Sequence, residues 1–357
     1  MTATSPAAAR PRRAAAIVSP VVDTLAVGGL SLLAFIPLLL TGRSDLVMIS
    51  PGTQATIAAL INMPHFLSSY RMIYRSREMV FRHQWASIWI PLILLLYIMV
   101  AIYQSQYTPT MVTMLLVVSS GYLAWHYTGQ AWGMMATFAH LEGSPFKDDE
   151  RLLVRGGLRI LLAWHVVWFL HSSGFAARVG FPLDRVYSGL TWLTLLALAM
   201  GVIGLTRMRR RTGKLPPARA LVAWAAIFVW YAAMARDPRA IFWVQVAHAL
   251  QYLIFPMRVE LNVTERHDPA PSHVWRHMLL YGAGLLGISW VMSYQVPTGA
   301  MAMVTRALGD RPGELTPVMI FAFLNIHHYF TDGVIWKLRN PEVRKDLFAH
   351  VGARSDR

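Results

Sequence analysis

The sequence predicts an all-α protein, a polytopic transmembrane bundle of about ten helices with both termini cytoplasmic. Three observations carry that expectation. The 357 residues are 55% hydrophobic and only 14% charged, too apolar for a domain that covers itself with a charged surface. Apolar runs of roughly 20 residues, the length that crosses a ~30 Å hydrocarbon core, recur along the whole chain. Lys and Arg gather in alternate segments between those runs.

The elements follow in order. Residues 1–20 are polar to basic and read as a cytoplasmic tail. The run from there to Thr41 is too long and too Leu-rich for a cleavable signal core, so it is the first span, 21–41. Further spans are expected at 53–73, 87–105, 110–140, 152–172, 187–206, 219–235, 239–258, 277–296 and 315–337. Together they make one transmembrane domain, 21–337, before a cytoplasmic tail at 338–357.

The basic residues orient the bundle. One set of segments carries Arg10, Arg12 and Arg13, then Arg75, Arg77 and Arg82, then Lys147 and Arg151. It continues with Arg207, Arg209, Arg210, Arg211, Lys214 and Arg219, then Arg258, Arg266 and Arg276, and ends with Lys337, Arg339, Arg344 and Lys345. The opposite loops hold only Arg43, Arg178, Arg185, Arg236, Arg239, Arg306 and Arg311. The richer side is expected to face the cytoplasm of a bacterial inner membrane. The formal net charge of +15 is thereby topology, not a nucleic-acid footprint. Membrane lipid is the expected surrounding, and no phosphate loop or Ser-His-Asp arrangement stands out.

Cysteine is absent, which excludes thiolate-bound haem, iron–sulfur clusters and thiolate copper sites. Any metal must be held by His, Asp, Glu or neutral oxygen donors. His65, His248, His327 and His328 each precede an inner basic cluster by about ten residues, which is ~15 Å of helix and near the midplane. His126 lies in the long fourth span at similar depth. Polar groups in hydrocarbon are costly and face the bundle interior, where they pair, bind ions or relay protons. A lone histidine there is most often a hydrogen-bonded helix contact. Five at one level, from four helices, point to a metal site.

Local spacing adds detail. Asn62 precedes His65, and Asn325 precedes His328, by three residues, so each pair shares a helix face. Pro64 frees a backbone carbonyl one turn earlier. Asp332 follows His328 by four residues and is a ligand, an acceptor that orients His328 from behind, or the neutralising partner of Lys337 or of an arginine on another helix. Gln130 follows His126 by one turn, and Gln245, His248, Gln251 and Tyr252 form a polar stripe. Gln130, Gln251, Tyr252, Asn62 and Asn325 are expected to support the ligands, with Asp332 and Tyr329 as candidate catalytic groups. His140, His165, His171, His273 and His277 lack comparable spacing or depth. Arg71, Arg155 and Arg159, near inner helix ends, are expected to snorkel or to meet an anionic headgroup.

The His-bearing helices resemble the Brp/Blh family of membrane β-carotene oxygenases. The resemblance rests on Pro64-His65, on His126 followed by an aromatic residue and a glycine, on His248 in its polar stripe, and on His327-His328. It implies an iron held by histidines from several helices, acting with O2 on a polyene. The chain departs from that family where a late helix has Gln251 or Tyr252 in place of a second histidine. His327-His328-Tyr329 is also similar to the His-His copper ligands of haem–copper oxidases, which implies copper or haem.

The expected function is a membrane-embedded, non-haem metal oxidoreductase of oxygenase or desaturase type. Iron is the expected metal, and the substrate a lipophilic one such as a carotenoid, isoprenoid or acyl chain. His65, His126, His248 and His328 are the expected ligands, with His327 a fifth ligand or supporting donor. The alternative classes are a proton- or ion-coupled transporter with a histidine relay, a haem- or copper-binding membrane protein, or a structural membrane protein.

Overall fold

The computed structural model describes residues 16–174, 182–336 and 341–352. Within them every regular element is helical. The long segments, numbered in chain order, are α1 (Pro20–Thr41), α2 (51–73), α3 (Trp85–Gln104), α4 (Thr110–Leu141), α5 (Asp148–Ser172) and α6 (Leu183–Thr212). They continue with α7 (Ala218–Arg236), α8 (Ala240–His267), α9 (Pro271–Leu308) and α10 (Asp310–Ile335), followed by a shorter α11 (Pro341–Gly352). Each expected span falls on one of α1 to α10. Among the described residues, eight of these helices are long and apolar enough to cross a membrane. The two that fall short of that apolarity are α2 and α4, and they carry His65 and His126.

Lipid-facing chemistry is visible on the outside. Leu33, Leu96, Trp192 and Leu279 stand exposed, a pattern that water would penalise and hydrocarbon does not. The centre of the bundle is built from α7, α8 and α10, whose apolar windows are 50%, 50% and 56% buried. α9 has only 6% of its window buried and lies at the periphery.

Two expected loops are corrected. The loop after 296 is largely helix, because α9 runs on through 38 residues to Leu308, about 57 Å of rise. Only Gly309, at φ 95, separates it from α10. On the opposite side α8 extends to His267 and α9 begins at Pro271, so the eighth loop is three residues and not a long segment. Apolar composition marks where a helix can sit in lipid, but helices continue into the interface until a glycine or proline stops them. Arg10, Arg12, Arg13, Arg178, Lys337 and Arg339 lie outside the described residues.

Helix irregularity has local causes. Three π-helical turns, Ala58–Asn62, Trp85–Trp89 and Val291–Gln295, each end two residues before a proline, at Pro64, Pro91 and Pro297. Proline has no N–H and its ring collides with the carbonyl four residues back, and the wider turn relieves that collision. The fourth, Leu25–Gly29, contains Gly28 at φ 151. A Cβ on Gly28 would stand 2.6 Å from the Ala226 Cβ, so α1 and α7 cross there at backbone distance.

Candidate metal centre

Four helices, α2, α4, α8 and α10, bring one histidine each to a common level, as expected from the spacing. His65, His126, His248 and His328 are all buried, His328 completely. Their rings touch: His65 and His328 centroids are 4.4 Å apart edge to face, His126 and His328 5.0 Å, His126 and His248 4.7 Å, and His65 and His248 5.1 Å. His65, His126, His328 and Asp332 each offer a donor atom, and these four atoms lie within 4.8 Å of one another. Donors sharing one metal at ~2.0–2.2 Å stand at most about 4.4 Å apart, so this group could hold a metal ion after small side-chain rotations.

Hydrogen bonds within the protein do not account for these rings. Buried polar atoms in proteins nearly always have a partner. Here His65 Nε2, His126 Nε2, His248 Nδ1 and Nε2, and His328 Nδ1 and Nε2 make no hydrogen bond within the protein. Packing these rings together with their nitrogens unbonded costs free energy unless something accepts the lone pairs. The carboxylate beside them is held from one side only. Asp332 Oδ1 accepts from Ser69 Oγ at 2.7 Å and from Tyr252 OH at 2.9 Å. Asp332 Oδ2 faces the rings, 3.3 Å from His328 Nε2 and 3.8 Å from His126 Nε2. Trp336 Nε1 in turn donates to Tyr252 OH at 2.6 Å.

This arrangement has a sequence rule behind it. Each of the four histidines is followed four residues later by a polar side chain: Ser69, Gln130, Tyr252 and Asp332. On a helix those positions share the histidine's face one turn along. Ser69, Tyr252 and Asp332 hydrogen-bond to one another in a layer beneath the rings. Such a layer forms only if α2, α8 and α10 run in the same direction, because an antiparallel helix would put its residue on the other side. On the far side Asn62, Gln245 and Asn325 precede their histidines by three and line a second layer. Sequence reasoning missed Ser69, although its place one turn after His65 was the available signal, and it missed Trp336.

The remaining expected residues divide. Tyr252 supports Asp332 directly. Gln130 Nε2 donates to the His248 carbonyl at 3.1 Å and to Gln251 Oε1 at 3.2 Å, and Gln251 reaches on to the Val27 carbonyl, so this pair ties α4, α8 and α1 together. Asn325 Oδ1 accepts from Tyr329 OH at 3.1 Å, and the Tyr329 ring lies 4.7 Å from His126. Asn62 Oδ1 has no protein partner. His248 stands in ring contact but outside the group of four donors.

His327 is the correction. As the neighbour of His328 it points about 100° away around the helix. Its Nε2 donates to the Ala86 carbonyl at 2.9 Å, and its ring stacks on Tyr70 at 4.9 Å. It ties α10 to α2 and α3 and brings no atom to the centre. Among the other histidines, His165 Nδ1 pairs with Tyr231 OH at 3.0 Å, His171 with Asp184 at 3.2 Å, and His277 with Glu260 at 2.8 Å.

Two cavities meet at the centre. One, of about 370 Å³, reaches His126 and Asp332 from the Ser69–Tyr252 side and extends past Gln130, Thr137 and Trp336. The other, of about 440 Å³, reaches His65 and His248 from the Asn62 side. Tyr329 lines both.

No protein-family model matches the chain, and neither curated proteins nor solved structures show a match to it. The site therefore stands on its own geometry.

Proposed function

We propose that this protein is a membrane-embedded oxidoreductase whose metal, iron, is held by His65, His126, His328 and Asp332, and whose substrate is lipophilic. The observation that carries the reading is the set of buried imidazole nitrogens without hydrogen bonds, gathered around a carboxylate whose outer oxygen is already fixed by Ser69 and Tyr252. Three neutral imidazoles and one carboxylate suit a divalent transition metal, and the scarcity of carboxylates disfavours Mg, Ca and Mn. Bound iron with an open coordination position would supply dioxygen chemistry.

The protein's own groups set the conditions for that chemistry. Ser69, Tyr252 and Trp336 hold Asp332 in place, the kind of support that fixes ligand orientation and affinity. His248 is close enough to join by a ring rotation or to line the open position. Tyr329, hydrogen-bonded to Asn325 and shared by both cavities, is placed to touch a substrate lying across the centre. The likeness to the Brp/Blh family supports the same reading, since the fragments that carry it sit on the four helices that meet here. The bundle is proposed to have ten spans with cytoplasmic termini.

Purified, gently extracted protein should contain close to one iron per chain and, once reduced, bind nitric oxide to give the electron-spin resonance signal of a non-haem ferrous site with an open position. Protein from metal-replete growth that holds zinc or no metal would overturn the oxidoreductase and favour an ion carrier. The pair of cavities on opposite sides of the centre favours that second reading. Proton flux in vesicles, abolished by His328→Ala, would establish it.

A further inference from the structure

The cavity on the Asp332 side is not uniformly apolar, and its polarity is arranged. It follows α4 from His126 to Thr137, about 16 Å of helix. Gly129 and Gly133 face it, and a Cβ on either would meet nothing within 4 Å, so the missing side chains contribute its width. Trp132, Phe255 and Trp336 give it apolar wall. At its edge stands Arg155 of α5, exposed, with its guanidinium 5.7 Å above the Trp132 ring.

Among the described residues, Arg155 has cationic company and no anionic partner. Arg151, Arg155 and Arg159 repeat every four residues and share one face of α5. Arg151 pairs with Asp148 at 3.0 Å, whereas among the described residues neither Arg155 nor Arg159 makes an ion pair. A guanidinium at the edge of hydrocarbon, beside a second cation, favours an anion, and its planar fork suits a carboxylate held through two hydrogen bonds. Trp132 is six residues beyond His126 on α4, so the cation stands about 9 Å along the helix from the centre.

We propose that Arg155 is the headgroup receptor of a substrate site, and that the substrate is a carboxylate-headed amphiphile such as a long-chain fatty acid. Its head meets Arg155 over Trp132, and its tail runs along the Gly133–Gly129 groove to the His65, His126, His328 and Asp332 group. This rests on the metal-centre reading for what happens to the tail, but not for the binding itself. It separates this site from one built for a pure hydrocarbon, which would present no cation.

Binding of tritiated oleate to the full-length, metal-loaded protein in phosphatidylcholine nanodiscs tests the proposal, with metal content measured on each sample. Unlabelled oleate should compete better than oleyl alcohol by on the order of tenfold or more, the scale of charge-assisted hydrogen bonds. Arg155→Gln should remove that preference, and Arg155→Lys should keep part of it. Gly133→Phe, which fills the groove and improves helix propensity, should block both ligands and leave the metal in place. Equal competition by acid and alcohol, an unchanged preference in Arg155→Gln, or full binding in Gly133→Phe would each overturn the proposal. Displacement by phosphatidylglycerol as effective as by free oleate would assign Arg155 to the bilayer and overturn it too. Oleate binding to protein that holds no metal would refute the metal centre and leave the receptor standing. Metal-replete protein that ignores oleate would do the reverse.

Discussion

The four polar residues one turn beyond the histidines have unequal work. Asp332 offers an oxygen to the centre itself, so Asp332→Asn is expected to lose metal as fully as His65→Ala, His126→Ala or His328→Ala. Ser69→Ala and Tyr252→Phe remove only the hydrogen bonds that hold the carboxylate, and should weaken metal retention by about 10–100-fold. Metal analysis of the purified variants after dialysis against a chelator distinguishes the two groups. His327→Ala should keep its metal and lose only a helix contact, about 0.6–2 kcal/mol. Most of the centre was legible in the sequence, because an imidazole in hydrocarbon is costly enough to stand out. Ser69 was not, because a serine in a membrane helix is unremarkable until its partner across 263 residues is known. His327 misled for the opposite reason: it shares the composition of the site but faces away from it by about 100° around the helix.

At the scale of the helix, irregularity and small residues position the site. The turn Ala58–Asn62 ends two residues before Pro64, and the widened backbone sets the face that His65 and Ser69 present. Gly28 lets α1 lie against α7 next to the Val27 carbonyl that holds Gln251. Gly28→Val combines a disfavoured φ with a collision at Ala226, and should destabilise the bundle by about 1–3 kcal/mol. A lower unfolding temperature in detergent, with metal content at first preserved, is the expected reading. The spans themselves were legible, since each apolar run became a helix. Their ends were not, because α9 and α10 are interrupted by one glycine and not by a polar loop.

For the whole molecule, direction and depth tie the pieces together. The shared layer of Ser69, Tyr252 and Asp332 requires α2, α8 and α10 to run the same way, which the even-numbered helices of a ten-span bundle do. Reporter fusions at Gly213 and after Arg357 should both be cytoplasmic, and one at Gly309 should not; opposite sides for Gly213 and the C-terminus would exclude ten spans. A buried ion pair between Arg219 and Asp23, 3.1 Å, with Glu142 at 2.6 Å, joins α7 and α1 to the residue that follows α4. There Arg219→Ala should cost about 3–5 kcal/mol by stranding a buried carboxylate. The proposed metal would sit among three histidines from three helices and one aspartate. Anomalous diffraction across the iron edge would locate it. A single peak within about 2.2 Å of donor atoms of His65, His126, His328 and Asp332 is the expected result. Absence of a peak from metal-replete protein, with those imidazoles hydrogen-bonded to one another or to water, would rule out the metal centre.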